Sequence, residues 1–525
     1  MKYDPFVTIG WRKRLAFRLQ KTMKLWTRPF RPARLQPHRG GPPNLLVLAV
    51  DTLRYDHLGL AGYDRQLTPV LDSWATGGVT FHAVTAPAPW TLPSFASSLT
   101  GVMPSLHGAS LGGPIRNMDT QAPHQLRSYV PCLASHLRRL GYATAAFYAN
   151  PFFGFGLAET FDRHAYYNLP AEDLAWLAME WIRSHADRPF FCFVLFNDPH
   201  EPTTPPTKLT EPFLMELAVQ GIRPTPRQLR ALARWGEGVD SSYALGRATL
   251  PLTQRTQVAL NIKLALYDAS IAYVDRVVGR LQQQLEKWDL RSNTILTLYS
   301  DHGEEFLDHI GEARNWNHDP REIRAIGHGH SQFQELLHVP WIASGPGVPA
   351  GIQWVAPVSL CDVAPTLVDW LGVDPLPRPA DLLSSLVGHS QKEALANGCN
   401  SAAAGQIIGS GTYEPEERVV QPTSRLLISE AMAFGPDLVA VRRESWKLIA
   451  TRDGEPLGLY NLADDPHEGN ECRNQQPEVM NRLLTDLAHW RQAADAAGVA
   501  GSSQTGWGDI SDTVRRRLRE LGYAE

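Results

Sequence analysis

The chain has 525 residues, 43% of them hydrophobic and 20% charged, a composition of soluble globular proteins that at this length implies one large domain and a smaller one. A formal charge of −4 excludes a chain built mainly to neutralise nucleic acid, but the charge is unevenly placed. Residues 1–43 carry eleven basic side chains against Asp4 alone, a balance of +10 that leaves −14 for the remainder.

In that basic arm Trp11, Leu15, Leu19, Met23, Trp26 and Phe30 recur at helical spacing, with Arg14, Arg18, Lys21 and Arg28 on another side. The pattern suits either peripheral membrane contact through residues 11–30 or a helix packed on the chain itself. No apolar run approaches the roughly 20 residues of a membrane span, and no secretory signal core is present. Five scattered cysteines without CxxC spacing suggest neither a disulfide framework nor a thiolate zinc site. The expected place is the cytoplasm, with peripheral contact at a membrane surface as the alternative.

After the Gly40–Pro43 linker, "NLLVLAVD" reads as a strand buried on both faces and ending in an acid. Similar runs follow at 143–149, 190–196, 294–300 and 339–344, separated by helical patterns such as "LASHLRRLG", "LAWLAMEWIRSHA" and the long stretch from Leu266. Strand and helix alternate, so the expected fold is α/β with a central, mostly parallel sheet between helices, spanning 44–383. Residues 203–250 read as an insertion or lid without a clear period, and 384–424 as a linker. From 425 to 495, two strand pairs and a helix predict a small α+β unit with an antiparallel sheet, followed by a helical tail at 496–525.

In such sheets the ligand lies off the carboxyl ends of the strands. Those ends carry Asp51, Asp198 with His200, and Asp301 with His302, a set of carboxylates and imidazoles suited to a divalent ion. Taken singly, Asp51 and Asp301 also read as ordinary turn and helix caps. In "PAPWTLPSFASSLTG", if Pro93 opens a helix, Thr91 lies at or next to its N-cap, where free amides favour anionic oxygens. A threonine hydroxyl needs a metal or base before it attacks anything; the bland reading is a capping residue. His328 and His330 in "IGHGHSQF" lie between glycines that let a loop approach a ligand.

Taken in order, "NLLVLAVDTLRYDHLG", "APWTLPSFASSLTGVMPSLHGA", "VLFNDPHEP", "LYSDHGEEFLDH", "GHGHSQFQELLHVPWIASGPGV" and "WKLIA…GLYNLADDPHE" resemble the sulfatase family of the alkaline phosphatase superfamily. The resemblance implies that Asp51, Asp301 and His302, with Thr91, ligate one divalent metal ion (Ca, Mg, Mn or Zn) and that Thr91 stands at the nucleophile position. It implies catalytic or substrate-binding places for His200 and His328, and weaker substrate-binding ones for His330 and His107. A second ion held by Asp198, His200 and His328 is the alternative to a single metal with a histidine-lined anion pocket.

Three departures bear on function. Sulfatases proper carry Cys or Ser, oxidised to formylglycine, where this chain has Thr91; Phe95 replaces a customary Arg; and the acidic pair at the first strand end is reduced to Asp51-Thr52. Threonine is the nucleophile in phosphate-directed relatives, so the expectation is a metal-dependent hydrolase of small anionic phosphate mono- or diesters. The alternatives are sulfate-ester hydrolysis without formylglycine and a membrane-surface pseudoenzyme or binding protein.

Overall fold

The computed structural model describes residues 40–111, 113–115, 123–234, 238, 252–309, 325–377, 386–395 and 425–498. The basic arm up to residue 39, most of the 384–424 linker and the tail beyond 498 lie outside them. Among the described residues no helix is long and apolar enough to cross a membrane.

The first apolar run forms β1 (Asn44–Val50), every residue of it buried. The strands that follow in the chain are β2 (Val79–Thr85), β3 (Ala143–Tyr148), β4 (Arg163–Tyr166), β5 (Phe190–Phe196), β6 (Thr294–Ser300), β7 (Glu305–Phe306), β8 (Ile326–Gly327), β9 (His338–Ser344), β10 (Ile352–Trp354) and β11 (Val358–Ser359). All but β7 and β8 join one nine-stranded sheet, ordered β10-β2-β9-β6-β1-β5-β3-β4, with β11 also paired to β2. β1 is central and runs parallel to both β5 and β6.

Its side chains alternate between two cores, which is why its apolar run is unbroken. Leu45, Val47 and Ala49 face a cluster that includes Phe95, Leu133 and Leu367, from the helices Thr91–Thr100, Leu133–Arg139 and Val363–Leu371. Leu46, Leu48 and Val50 face the other cluster, with Leu174 and Ile182 of the helix Ala171–Ser184 and Ile262, Leu266 and Val278 of the helix Gln254–Lys287. Each buried Leu, Ile, Val or Phe among them contributes about 1.5–3 kcal/mol on leaving water.

The α/β expectation agrees with this sheet, with two differences. β9 runs antiparallel to both neighbours, β2 and β6, and an apolar run carries no mark of its direction. The long helix begins twelve residues before Leu266, at Gln254, behind the N-cap Thr253 whose side chain accepts from the Thr256 amide. The described residues of the segment read as a patternless lid include the helices Thr207–Val219 and Pro226–Leu232. Phe213 and Leu217, four residues apart, seat the first of them in the same core as Ile262 and Leu266.

β12 (Leu426–Ser429), β13 (Leu438–Arg443), β14 (Trp446–Thr451) and β15 (Pro456–Asn461) form an antiparallel meander, as the C-terminal pattern predicts. The helix Pro477–Gly498 covers it with Leu483, Leu487 and Trp490. Met103, Leu106 and Cys361 of the larger part share that apolar cluster, so the two sheets are joined through a common core.

Candidate active site

Parallel pairing places the site. Val50 is opposite both Phe196 and Ser300, so the residues after these three strands emerge side by side at one end of the sheet. Asp51, Asp301 and His302 come from two adjacent strand ends, and His200 from the third. The turn after β1 is held in a conformation that threonine seldom adopts: Thr52 has φ 59°, which costs a β-branched residue about 1–2 kcal/mol. Tyr267 of the long helix donates to Thr52 O at 2.6 Å and receives the Arg54 amide at 3.0 Å, while Ser300 Oγ receives the Leu53 amide and donates to His302 O.

The ligating atoms of Asp51, Asp301 and His302 all lie within 4.8 Å of one another and are fully buried. His302 Nδ1–H donates to Gly303 O at 2.9 Å, which leaves the Nε2 lone pair facing Asp51 Oδ1 at 3.4 Å and Asp301 Oδ2 at 3.3 Å. Burial lowers the imidazole to about 3, so the ring is neutral at physiological pH. Burial, and next the Asp51 charge, push the Asp301 carboxyl well above its ordinary range. Neither Asp301 oxygen has a hydrogen bond of normal geometry. Two close buried carboxylates and a neutral imidazole fit a divalent cation, since ligand atoms roughly 3 Å apart match bonds of about 2.0–2.4 Å.

Thr91 opens the helix Thr91–Thr100, with Trp90 as the cap. Pro93 is therefore the third helical residue, not the first, and Thr91 sits at the first position, with its hydroxyl on the side where amide groups point outward. Its Oγ1 lies 3.3 Å from His302 Nε2. Ser94 Oγ ties the same helix to Asp301 O at 2.6 Å. The sequence reading missed Asn150, two residues beyond β3. Its Nδ2 donates to Asp51 Oδ2 at 2.6 Å and to Thr91 Oγ1 at 3.2 Å.

His328 lies between the other two rings, edge-on to His200 with centroids 4.8 Å apart and tilted against His302 at 4.3 Å. Its Nδ1 lies 3.0 Å from Glu304 Oε1, and His200 Nδ1 donates to Glu201 O at 2.8 Å. His330 Nε2 pairs with Glu305 at 2.8 Å. His107 does not offer the substrate contact expected of it. Its Nε2 lies 3.0 Å from Ser97 Oγ and 3.2 Å from Pro93 O, its Nδ1 accepts from the Ala109 amide, and the ring braces the Thr91 helix. Phe95, in place of an Arg, packs edge-on against Phe153 and Phe193.

Asp198 Oδ1 accepts from the Ala171 amide at the start of the helix Ala171–Ser184, at 3.2 Å, and Asp198 is not among the three residues grouped around Asp51. Burial raises its carboxyl to about 7. The folded chain thus holds this proton more tightly than the unfolded one, whose carboxyl titrates near 4. The resulting stability is present at acid pH and is lost as pH rises toward 7. Asp198→Asn, which keeps an oxygen toward Ala171, is expected to lose about 1–2 kcal/mol less than wild type between pH 5 and 8, read from urea midpoints.

A second buried group, Glu305, His309 and Glu335, lies just beyond, with His309 Nδ1 paired to Glu335 at 2.7 Å. It leads to Lys447 and Glu468 of the C-terminal part, 2.7 Å apart, and Gln334 donates its amide to Glu468 at 2.6 Å. Glu304, Glu305 and Glu335 carry no recognisable spacing; only "DHGEEF" hinted that acids continue past the strand end.

Residues 43–373 match the family model described as Sulfatase. A choline-sulfatase of Rhizobium meliloti is 25% identical, with 92% of this chain and 93% of that protein covered. Among solved structures, a phosphonate monoester hydrolase of Agrobacterium radiobacter superposes with a TM-score of 0.60 at 20% identity, covering 86% of this chain and 96% of that one. BT1596, a 2-O GAG sulfatase, superposes with a TM-score of 0.59 at 18% identity, covering 88% and 95%.

Proposed function

The chain belongs to the sulfatase family of ester hydrolases, and from that premise we propose that it hydrolyses phosphate mono- or diesters through Thr91 as a covalent nucleophile. The observation that supports the reading is a secondary alcohol at the start of the helix Thr91–Thr100, its oxygen 3.3 Å from His302 Nε2 and close to the buried Asp51 and Asp301 carboxylates. A formylglycine is an aldehyde; threonine, with its β-methyl, oxidises only to a ketone and cannot supply one. A threonine ester of phosphate, by contrast, is reopened by water at phosphorus.

Asp51, Asp301, His302 and Thr91 would hold the divalent ion, which supplies positive charge that favours the alkoxide and neutralises substrate oxygens. The rest falls to the chain's own groups. The first turn of the Thr91 helix directs its amides toward the anion. His328, with Nδ1–H given to Glu304, offers Nε2 as the group that gives a proton to the departing oxygen. His200, ring against ring with His328, lines the anion pocket.

Hydrolysis of sulfate esters without formylglycine is the second reading, favoured by the likeness to a choline-sulfatase. A panel of nitrophenyl phosphate, bis-nitrophenyl phosphate and nitrophenyl sulfate, run after reconstitution with Mg, Mn, Zn or Ca, separates the two. The expected result is kcat/KM at least about tenfold higher for a phosphate ester, a transition-state difference of about 1.4 kcal/mol. Faster sulfate turnover overturns the choice. A purified chain that binds no divalent ion favours instead a binding protein that retains the fold.

A further inference from the structure

We propose that Asn150 is a catalytic residue, whose side-chain amide stabilises the negative charge on Thr91 Oγ both when that oxygen attacks and when it is released; this rests on the covalent reading of Thr91. The orientation of the amide is set by its neighbours. Asn150 Oδ1 accepts from the Phe152 amide at 2.9 Å, so the other end of the group must be the N–H₂. That Nδ2 donates to Thr91 Oγ1 at 3.2 Å and to Asp51 Oδ2 at 2.6 Å. Asn150 is fully buried, caps the turn at Pro151–Gly154 and is followed directly by Pro151, so neither backbone nor side chain has room to swing away.

Such a donor is preorganised for charge that develops on the nucleophile oxygen. In the first half-reaction Thr91 Oγ, its proton lost to solvent, bonds to phosphorus. The bond from phosphorus to the leaving oxygen breaks, and that oxygen keeps the electron pair and takes a proton from His328. In the second, a water oxygen bonds to phosphorus and its proton goes to His328. The phosphorus–Oγ bond breaks, and its electron pair returns to Oγ. Oγ is thus the attacking atom in one step and the leaving atom in the next, and the Asn150 N–H faces it in both.

A symmetric role has a kinetic signature that packing alone does not give. With nitrophenyl phosphate as the probe and metal content verified, Asn150→Ala is expected to slow phosphorylation and dephosphorylation of Thr91 by a similar factor, about 100-fold each, with the burst amplitude unchanged. Asn150→Asp keeps the acceptor for Phe152 but turns an oxygen on Asp51 and Thr91, and is expected to be slower than Asn150→Ala. An Asn150→Ala chain that keeps wild-type rates, or slows phosphorylation alone, overturns the assignment. Should both variants lose metal or fail to fold, the wild-type complex with vanadate decides. Asn150 Nδ2 within hydrogen-bond reach of the Oγ bonded to vanadium supports the role, and a separation beyond about 3.5 Å overturns it. Failure of the premise reads differently: wild type that turns over ester without forming phosphothreonine removes the covalent reading itself, and this role with it.

Discussion

Thr91→Ala is expected to lower kcat/KM for the preferred ester by about 10³-fold or more, while the chain keeps its fold and still binds one divalent ion. The substitution deletes a hydroxyl and a methyl from a fully buried helix start, and the helix remains anchored by Ser94 on Asp301 O and by His107 on Ser97. What disappears is the only atom of the residue that can bond to phosphorus, and losing a covalent nucleophile removes most of an enzyme's advantage over water. Thr91→Ser, which restores an alcohol, is expected to recover turnover to within about 10–100-fold of wild type. The checks are kcat/KM, elemental analysis of bound metal, and labelling of the protein by phosphate from substrate. A Thr91→Ala chain with more than a tenth of wild-type activity would exclude attack by this residue.

Asp301→Asn is expected to abolish turnover and ion binding, and with them the response of stability to chelation. Without an ion, Asp51 and Asp301 press two carboxylates into one buried site, and the Asp301 carboxyl is held well above its usual range. That rise means the ion-free fold is favoured at acid pH and loses stability as pH climbs above the ordinary carboxylate range. A bound divalent ion offsets the repulsion. At a hundred times its Kd it adds about 2.7 kcal/mol. Wild type should therefore melt lower in chelator and higher with added ion at pH 7.5. The Asp301→Asn chain, with one charge fewer, should melt at the same temperature in both. A variant that still gains stability from the ion would place the cation elsewhere.

The strand ends were legible because each is an apolar run stopped by an acid: "LLVLAVD" and "TLYSDH" show where a doubly buried strand gives way to polar side chains. Thr91 was legible through its place before Pro93 and the ordered motifs around it. Asn150 was not, because one amide after "FYA" has no spacing to distinguish it from a capping residue, and its contacts to Asp51 and Thr91 exist only in the folded chain, where β3 ends beside β5, one strand removed from β1. His107 differs for the opposite reason: a histidine in a recognisable motif has its Nε2 against the Thr91–Thr100 helix, at Ser97 and Pro93, and its Nδ1 on the Ala109 amide. The direction of β9 was hidden because burial, not direction, determines its apolar composition. Glu304 and Glu305 follow the metal-site pair in the chain, yet only the return of the 326–330 loop gives them His328 and His330 as partners.

The ladders on either side of β1 bear on how the proposed cation site can fail. Asp51 and Asp301 leave neighbouring strands whose pairing is continuous for seven residues, from Asn44↔Thr294 to Val50↔Ser300. The gap between their carboxylates is therefore the spacing of a β-sheet, and its alignment is that of the most deeply buried strands in the molecule. No local fraying can open such a centre by degrees. Hydrogen exchange at the amides of Leu48 and Leu298 and the release of the ion should therefore share one free energy of opening, the global one.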